Sequence, residues 1–167
     1  GSFLQATADA EALMIADARA WLDGSQLVAD LFSGLGTFAF ALRVGRKVLA
    51  AEAEQAAHFA CKVGAARTGG SVHPLHRDLF RNPLQASELN RFDAVLLDPP
   101  RAGAAAIVEH MPRFAPRKVV YISCHPGTLA RDLGVLVHTH KYRLDAVGVM
   151  DMFPHTAHIE SIAVLSR

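Results

Sequence analysis

The run Leu27-Val28-Ala29-Asp30-Leu31-Phe32, followed by Ser33-Gly34-Leu35-Gly36, decides how this chain is read. Its first six residues have the length of a strand buried on both faces, and the two glycines supply a sharp turn into the next element. The residues to about Val44 then read as a helix. A buried strand that feeds a glycine turn and a helix is the opening unit of a parallel sheet covered by helices.

The same alternation continues in both directions. Upstream, about Ala8 to Leu22 reads as a helix, with Ala12, Ile15 and Ala16 spaced for one buried face. Downstream, Lys47 to Ala51 forms a second strand ending at Glu52, and a helix over about Glu54 to Arg67 is closed by Gly69-Gly70. Ser71 to His76 is a weak third strand. Phe92 to Leu97 is a clearer fourth, stopped by Asp98-Pro99-Pro100, and Lys118 to Ser123 is a fifth. Pro126 stands where a proline opens a helix. The last strands, about Tyr142 to Met150 and Ile159 to Leu165, are joined by a turn containing Pro154, which suits an antiparallel pair. The expectation is an α/β fold in one domain over residues 1–167. It has a mostly parallel seven-stranded sheet, an antiparallel last strand, and helices on both faces.

The bulk numbers narrow the function classes. With 51% hydrophobic and 20% charged residues, the chain is a folded globular domain. A formal net charge of +1 does not hold a polyanion unaided, so attraction to a nucleic acid must come from local patches or another domain. Two cysteines are too few for a disulfide framework or a structural zinc site. The nine histidines are scattered, so no metal is expected within the chain. The longest apolar runs are strand-sized and no stretch reads as a signal peptide. The expectation is therefore a soluble, cytoplasmic monomer with no membrane partner.

In open α/β sheets, ligands gather at the carboxyl ends of the strands. Gly34 and Gly36 lie at the first such end and let the backbone approach a ligand, and the helix that follows offers free N–H groups. Glu52 ends the second strand, the place for a carboxylate that accepts from ribose hydroxyls. A glycine turn alone is equally an ordinary strand-to-helix connection. Ala39 stands where the third glycine of a dinucleotide fingerprint belongs, which favours S-adenosylmethionine, a cofactor without a pyrophosphate, over a nicotinamide. Asp78, after the third strand, either reads the adenine side or caps a turn.

Asp98 is held in extended geometry by the prolines that follow it, a stiff acidic tip or a plain Asp-Pro turn. Cys124 lies past a buried strand and before a helix start, where a negative charge is favoured and where a cation such as Arg101 adds to it. Cys61, mid-helix, reads as inert core packing. Glu160 interrupts an apolar strand, which costs several kcal/mol unless the carboxylate is paired or reaches solvent at an edge. If the last strand is antiparallel, its beginning lies at the edge where the parallel strands end, and Glu160 and Cys124 face one another across a pocket.

Taken together, these residues resemble the RNA uridine-5-methyltransferases of bacteria and archaea, which act on tRNA or ribosomal RNA. Phe3-Leu4-Gln5 is similar to the family's entry motif. DLFSGLGTF (Asp30 to Phe38), DPPRAGA (Asp98 to Ala104), YISCHPGTLARD (Tyr121 to Asp132) and DMFPHTAHIES (Asp151 to Ser161) follow in the family's order. The resemblance implies a Rossmann-like class I methyltransferase fold, S-adenosylmethionine as cofactor and an RNA substrate. It implies cofactor contacts from Gln5, Phe32, Gly34, Gly36, Thr37, Glu52, Asp78 and Asp98. It implies Cys124 as nucleophile and Glu160 as the proton-abstracting base, with Asp98 and Arg101 positioning the substrate. Many relatives have Asn at the position of His125 and Ala at that of Pro100. Relatives also carry an N-terminal RNA-binding domain and a central domain, so the chain is expected to be the catalytic fragment of a longer protein.

Uracil carbon 5 is a poor nucleophile, and a thiolate added at carbon 6 moves electron density onto it. The methylated adduct then needs a base to remove the carbon-5 proton. Three alternatives stand beside this reading. Amino-group methylation is disfavoured because Arg101 replaces the aromatic that usually follows Asp-Pro-Pro. Cytosine-5 methylation usually draws on two strand-end cysteines, and Cys124 alone qualifies. A non-catalytic RNA-binding module gives no role to Cys124 and Glu160.

Overall fold

Apolar runs buried on both sides must pair their own N–H and C=O groups, and here they do so in one seven-stranded sheet. The computed structural model describes residues 2–151 and 159–167, with side chains from 8 to 150 and from 159 onward. The strands are β1 (Leu27–Leu31), β2 (Lys47–Glu52), β3 (Val72–His76), β4 (Ala94–Leu97), β5 (Lys118–Ser123), β6 (Arg143–Asp151) and β7 (Ile159–Ser166). The helices are α1 (Ser2–Trp21), α2 (Thr37–Leu42), α3 (Gln55–Ala65), α4 (Ala86–Leu89), α5 (Ala105–Val108) and α6 (Pro126–His138). The strand order is β3-β2-β1-β4-β5-β7-β6, and β7 runs antiparallel to both of its neighbours.

Alternation along the strands splits the core between two faces. Val28, Ala94, Leu96, Val120, Ile122 and Ile162 pack with Met14, Phe38 and Cys61 of α1, α2 and α3. Ala29, Leu31, Val95, Leu97, Val119 and Tyr121 pack on the other face with Ile107, Leu129 and Leu136 of α5 and α6. The sheet is therefore a middle layer with helices on both sides, as the sequence predicts. Asp30 and Asp98 both belong to the α1–α3 side by this alternation.

Several boundaries differ from the sequence reading. The buried stripe of α1 is Ala10, Met14 and Ala18, continued by Leu22 just past its end, with Ile15 half-buried beside it, while Ala12 and Ala16 are exposed. In an alanine-rich helix the small residues do not choose the face; the larger Met14 and Leu22 do. Phe32 leaves β1 with φ 65°, and α2 ends at Leu42 rather than Val44. Glu54 caps α3 rather than starting it, its carboxylate accepting from the amides of Ala56 and Ala57. Pro126 does open α6, and His125 caps it by accepting the Thr128 N–H at Nδ1.

One buried node joins β5, α6 and the loop after β4. Asp132, 1% exposed, accepts from the Tyr121 hydroxyl and from the Ala104 amide (2.8 Å), while Arg131 donates to its other oxygen at 3.1 Å. Gly103, with φ +84°, passes so close that a Cβ there would lie 2.8 Å from Asp132 Oδ2. Asp132→Ala should leave two buried donors unpaired and lower stability by about 2–4 kcal/mol. Urea unfolding measures this directly, and an unchanged midpoint would show that the node carries no structural weight.

Candidate active site

The chain reverses its direction of travel across the sheet between β1 and β4, where a crevice opens beyond the strand ends. Both sides of that crevice carry acids. Asp30 is 1% exposed on β1, and Asp98 follows β4 with its amide directed at Leu31 O (3.4 Å). Glu52 closes β2, its two oxygens accepting from Gly34 N at 2.9 Å and Glu54 N at 2.7 Å. Gly36 is held tightly, because a Cβ at that position would meet Phe40 at 2.7 Å and Cys61 Sγ at 2.9 Å. Cys61 is thus core packing, as its mid-helix position predicts.

A cavity of about 550 Å³ lies at these strand ends, and Phe32, Glu52 and Asp98 line it together with Arg77, Phe80 and Pro99. Phe32 and Phe80 set their ring centroids 5.5 Å apart on its wall. Gly34 and Gly36 shape the loop beside it without lining it. Thr37 starts α2 and is exposed, outside the lining. The Asp78 carboxylate is exposed and accepts from the amides of Phe80 (3.0 Å) and Arg81 (3.3 Å), the turn-capping arrangement, with its neighbours Arg77, Leu79 and Phe80 on the cavity wall. The side chain of Gln5 lies outside the described residues.

Cys124 and Glu160 converge by register. The last pair of the β5–β7 ladder is Ser123 with Ser161, so the next position on each strand is Cys124 and Glu160. Strand β7 is an interior strand, so Glu160 does not stand on a free edge. It sits near enough to Asp98 to act on it: burial first, then the Glu160 charge, then Glu11, push the Asp98 carboxyl up to about 7. Residues 152–158, in the middle of the DMFPHTAHIES string, lie outside the described residues. Arg101 is exposed in the loop after β4, and its carbonyl accepts from the Thr128 hydroxyl (2.9 Å) in the first turn of α6. That contact places the Arg101 loop beside the helix start that follows Cys124.

Two features escape the sequence reading. Phe80 carries no pattern that marks it as a cavity wall. Asp30 does carry a signal, since a carboxylate inside an apolar strand needs a reason for the same cause as Glu160 does. Its carboxyl is lifted well above the usual range, by burial and then by Asp98, against one amide contact from Ala39. Its Oδ2 has no partner among the described residues.

A three-layer sheet with β7 reversed and an acid-lined crevice at its switch point is the Rossmann-like fold of class I methyltransferases. Residues 75–167 match the family model described as tRNA (uracil-5-)-methyltransferase, and the chain belongs to that family. It is 40% identical over 166 residues to an uncharacterised RNA methyltransferase of Zymomonas mobilis, covering 99% of this chain and 42% of that one. It is 42% identical over 170 residues to the 23S rRNA (uracil(1939)-C(5))-methyltransferase of Xanthomonas oryzae, covering 99% and 38%. Among solved structures it resembles the Pyrococcus abyssi tRNA (uracil-54, C5)-methyltransferase in complex with S-adenosyl-L-homocysteine. That match has a TM-score of 0.75 and 30% identity, and covers 90% of this chain and 36% of that one. The chain spans about two fifths of the length of the curated relatives it matches. Among the described residues, no helix is long and apolar enough to cross a membrane.

The Asp98 carboxyl gives a test with a definite sign. The native form holds a proton up to about pH 7 that the unfolded chain releases near pH 4, so Asp98 costs stability progressively between those values. Asp98→Asn keeps the shape without the charge. It should be more stable than the wild type by about 2–4 kcal/mol at pH 8, with the gap closing towards pH 5. Denaturant titrations across this range decide it, and a gap independent of pH would contradict the burial of an ionisable Asp98.

Proposed function

We propose that this domain carries the chemistry of an RNA uracil-5-methyltransferase, which transfers a methyl group from S-adenosylmethionine to carbon 5 of a uridine in tRNA or ribosomal RNA. The observation that carries the reading is the antiparallel register that brings Cys124 and Glu160 to one edge beside Asp98. Family membership, and the activities of the Xanthomonas and Pyrococcus relatives, support the substrate class.

The crevice fits the cofactor. Asp30, Glu52 and Asp98 form no ion pair among the described residues, which suits a ligand bearing positive charge. Each Glu52 oxygen keeps a lone pair for a ribose hydroxyl beyond its backbone contact. Phe32 and Phe80 offer aromatic surface to a purine, and the Gly34 amide braces Glu52 from the adjoining loop. When bound, S-adenosylmethionine supplies a methyl group on a sulfonium, open to a carbon nucleophile.

The protein's own residues do the rest. The Cys124 thiolate adds to uracil carbon 6, and the electron pair of the C5–C6 double bond moves towards carbon 5 and the carbonyl, giving an enolate. Carbon 5 is then nucleophilic and would take the methyl as the methyl–sulfonium bond breaks, its pair remaining on sulfur as a neutral thioether. Glu160 takes the carbon-5 proton, the double bond re-forms, and the Cys124 thiolate leaves with the pair of the C–S bond. Asp98 and Arg101 position the base. The target uridine must leave its stack to reach this edge, as base-modifying enzymes require.

Two substitutions separate the steps. Cys124→Ala should abolish methyl transfer and any covalent protein–RNA adduct. Glu160→Gln cannot accept the proton, so methylation proceeds and the product stalls on Cys124. A denaturing gel should then show a slow band carrying label from the cofactor's methyl group, absent when Cys124→Ala is added. Normal turnover by Glu160→Gln would remove Glu160 as the base, and methylation by Cys124→Ala would remove the covalent route.

A further inference from the structure

The end of the sheet opposite Cys124 and Glu160 holds a second cavity, of about 640 Å³, with a different chemistry. Arg113, Phe114, Arg117, His140, Lys141 and Arg167 line it. They are distant in sequence, and the topology gathers them. Arg117 precedes β5, Lys141 lies just ahead of β6, and Arg167 follows antiparallel β7, so all three stand where β5 and β6 begin and β7 ends. At strand rise, the length of β5 puts this cavity about 20 Å from Cys124.

Four of its lining residues are permanent cations and none is acidic. Among the described residues, Arg113, Arg117, Lys141 and Arg167 form no ion pair. With a chain total of only +1, this is a local concentration of charge. Arg167 sits deepest. Its guanidinium donates to the carbonyls of His140 (2.8 Å), Ala115 (2.9 Å) and Pro112 and lies 4.1 Å from the Tyr142 ring centroid. These neutral partners fix the charge without cancelling it. Among the described residues, Arg167 Nε and His140 Nε2 are buried without a hydrogen-bond partner. A half-buried charge in this condition is stabilised by an anion.

Phe114 adds the second element. It is 73% exposed, and the Arg113 guanidinium lies 5.1 Å from its ring centroid. A single exposed phenylalanine is ordinary on a surface. An exposed ring among unpaired cations is the combination that RNA recognition uses, with guanidinium and ammonium groups on phosphate and an aromatic face for an unstacked base. An acidic protein surface would satisfy the charges but leave the ring without a role.

We propose that this cavity is a second RNA-binding site, which takes a backbone phosphate on Arg117, Lys141 and Arg167 and an unstacked base on Phe114. The inference rests on RNA being the substrate, and adds that bound RNA reaches from the reacting end of the sheet to the opposite end. All of the side chains to be changed are exposed and far from Cys124, so the fold and the chemical step should be untouched.

The test uses the full-length enzyme, the substrate transcript and a single-stranded RNA oligonucleotide. Arg117→Gln and Lys141→Gln should each raise the RNA KM and Kd roughly 3- to 10-fold, and each should reduce the salt slope of binding by about 1. Phe114→Ala should weaken binding roughly 5-fold or more, and Phe114→Trp should restore it. The kcat at saturating RNA and the affinity for the cofactor should stay at wild-type values. If the wild type methylates RNA but the double variant Arg117→Gln/Lys141→Gln keeps its KM and salt slope, this site is overturned and the proposed function stands. A double variant with unchanged RNA binding and an altered oligomeric state would assign the patch to protein contact, against the inference. If the wild type neither binds nor methylates RNA, the proposed function itself fails, and the second site with it.

Discussion

The buried carboxylate of Asp132 is the constraint on which the reacting end of this domain depends. Burying a carboxylate costs several kcal/mol unless its lone pairs are filled, and here a phenol, an amide and a guanidinium fill them. The three donors come from β5, from the loop after β4 and from α6 itself. Burial and the Asp132 contact hold the Tyr121 hydroxyl protonated at any physiological pH, so it remains a donor. Through this one node the loop of Asp98 and Arg101 and the helix start after Cys124 are set against each other. The Thr128 and Arg131 contacts to Arg101 O and Ala102 O then clamp the same loop from its other side.

The second constraint is electrostatic. Asp30, Glu52 and Asp98 crowd the carboxyl ends of β1, β2 and β4, Glu160 joins them from the start of antiparallel β7, and burial raises the two aspartates instead of ionising them fully. Such crowding of acids disfavours their ionised forms, and a bound cation would offset it. The Gly34 and Glu54 amides hold Glu52 across this mouth, so its charge is spread over backbone donors before any ligand arrives. For the proposed cofactor, the acids would distinguish a positively charged sulfonium from the neutral thioether left after transfer.

Much of this was legible in the sequence because the central strands are buried on both sides. Strands β1, β2, β4 and β5 therefore appear as largely apolar runs, and the expected bounds of β5 match at both ends. The reversal of β7, inferred from a short connection, was enough to bring Cys124 and Glu160 to one edge. What escaped has physical causes. The four-residue helices α4 and α5 are shorter than a hydrophobic period can register. On α1, Ile15 packs against the core as expected, while Ala12 and Ala16 are exposed, because alanine fits either environment. Phe32 reads as strand until its φ of 65° is seen. The cationic cavity could not be read at all, since residues from 113 to 167 meet only through the crossing of strands.

The two ends of the sheet also explain how a chain with almost no net charge serves the proposed polyanionic substrate. Acids gather at the carboxyl ends, where a cationic cofactor and a neutral base would be handled, and their field repels phosphate. Screening limits that repulsion to about 8–10 Å at physiological salt, so an attractive patch about 20 Å away acts independently of it. Placing the unpaired cations at the opposite end separates two incompatible demands within one small domain. The buried residues of β4 and β5 between the two ends hold the opposing charges apart.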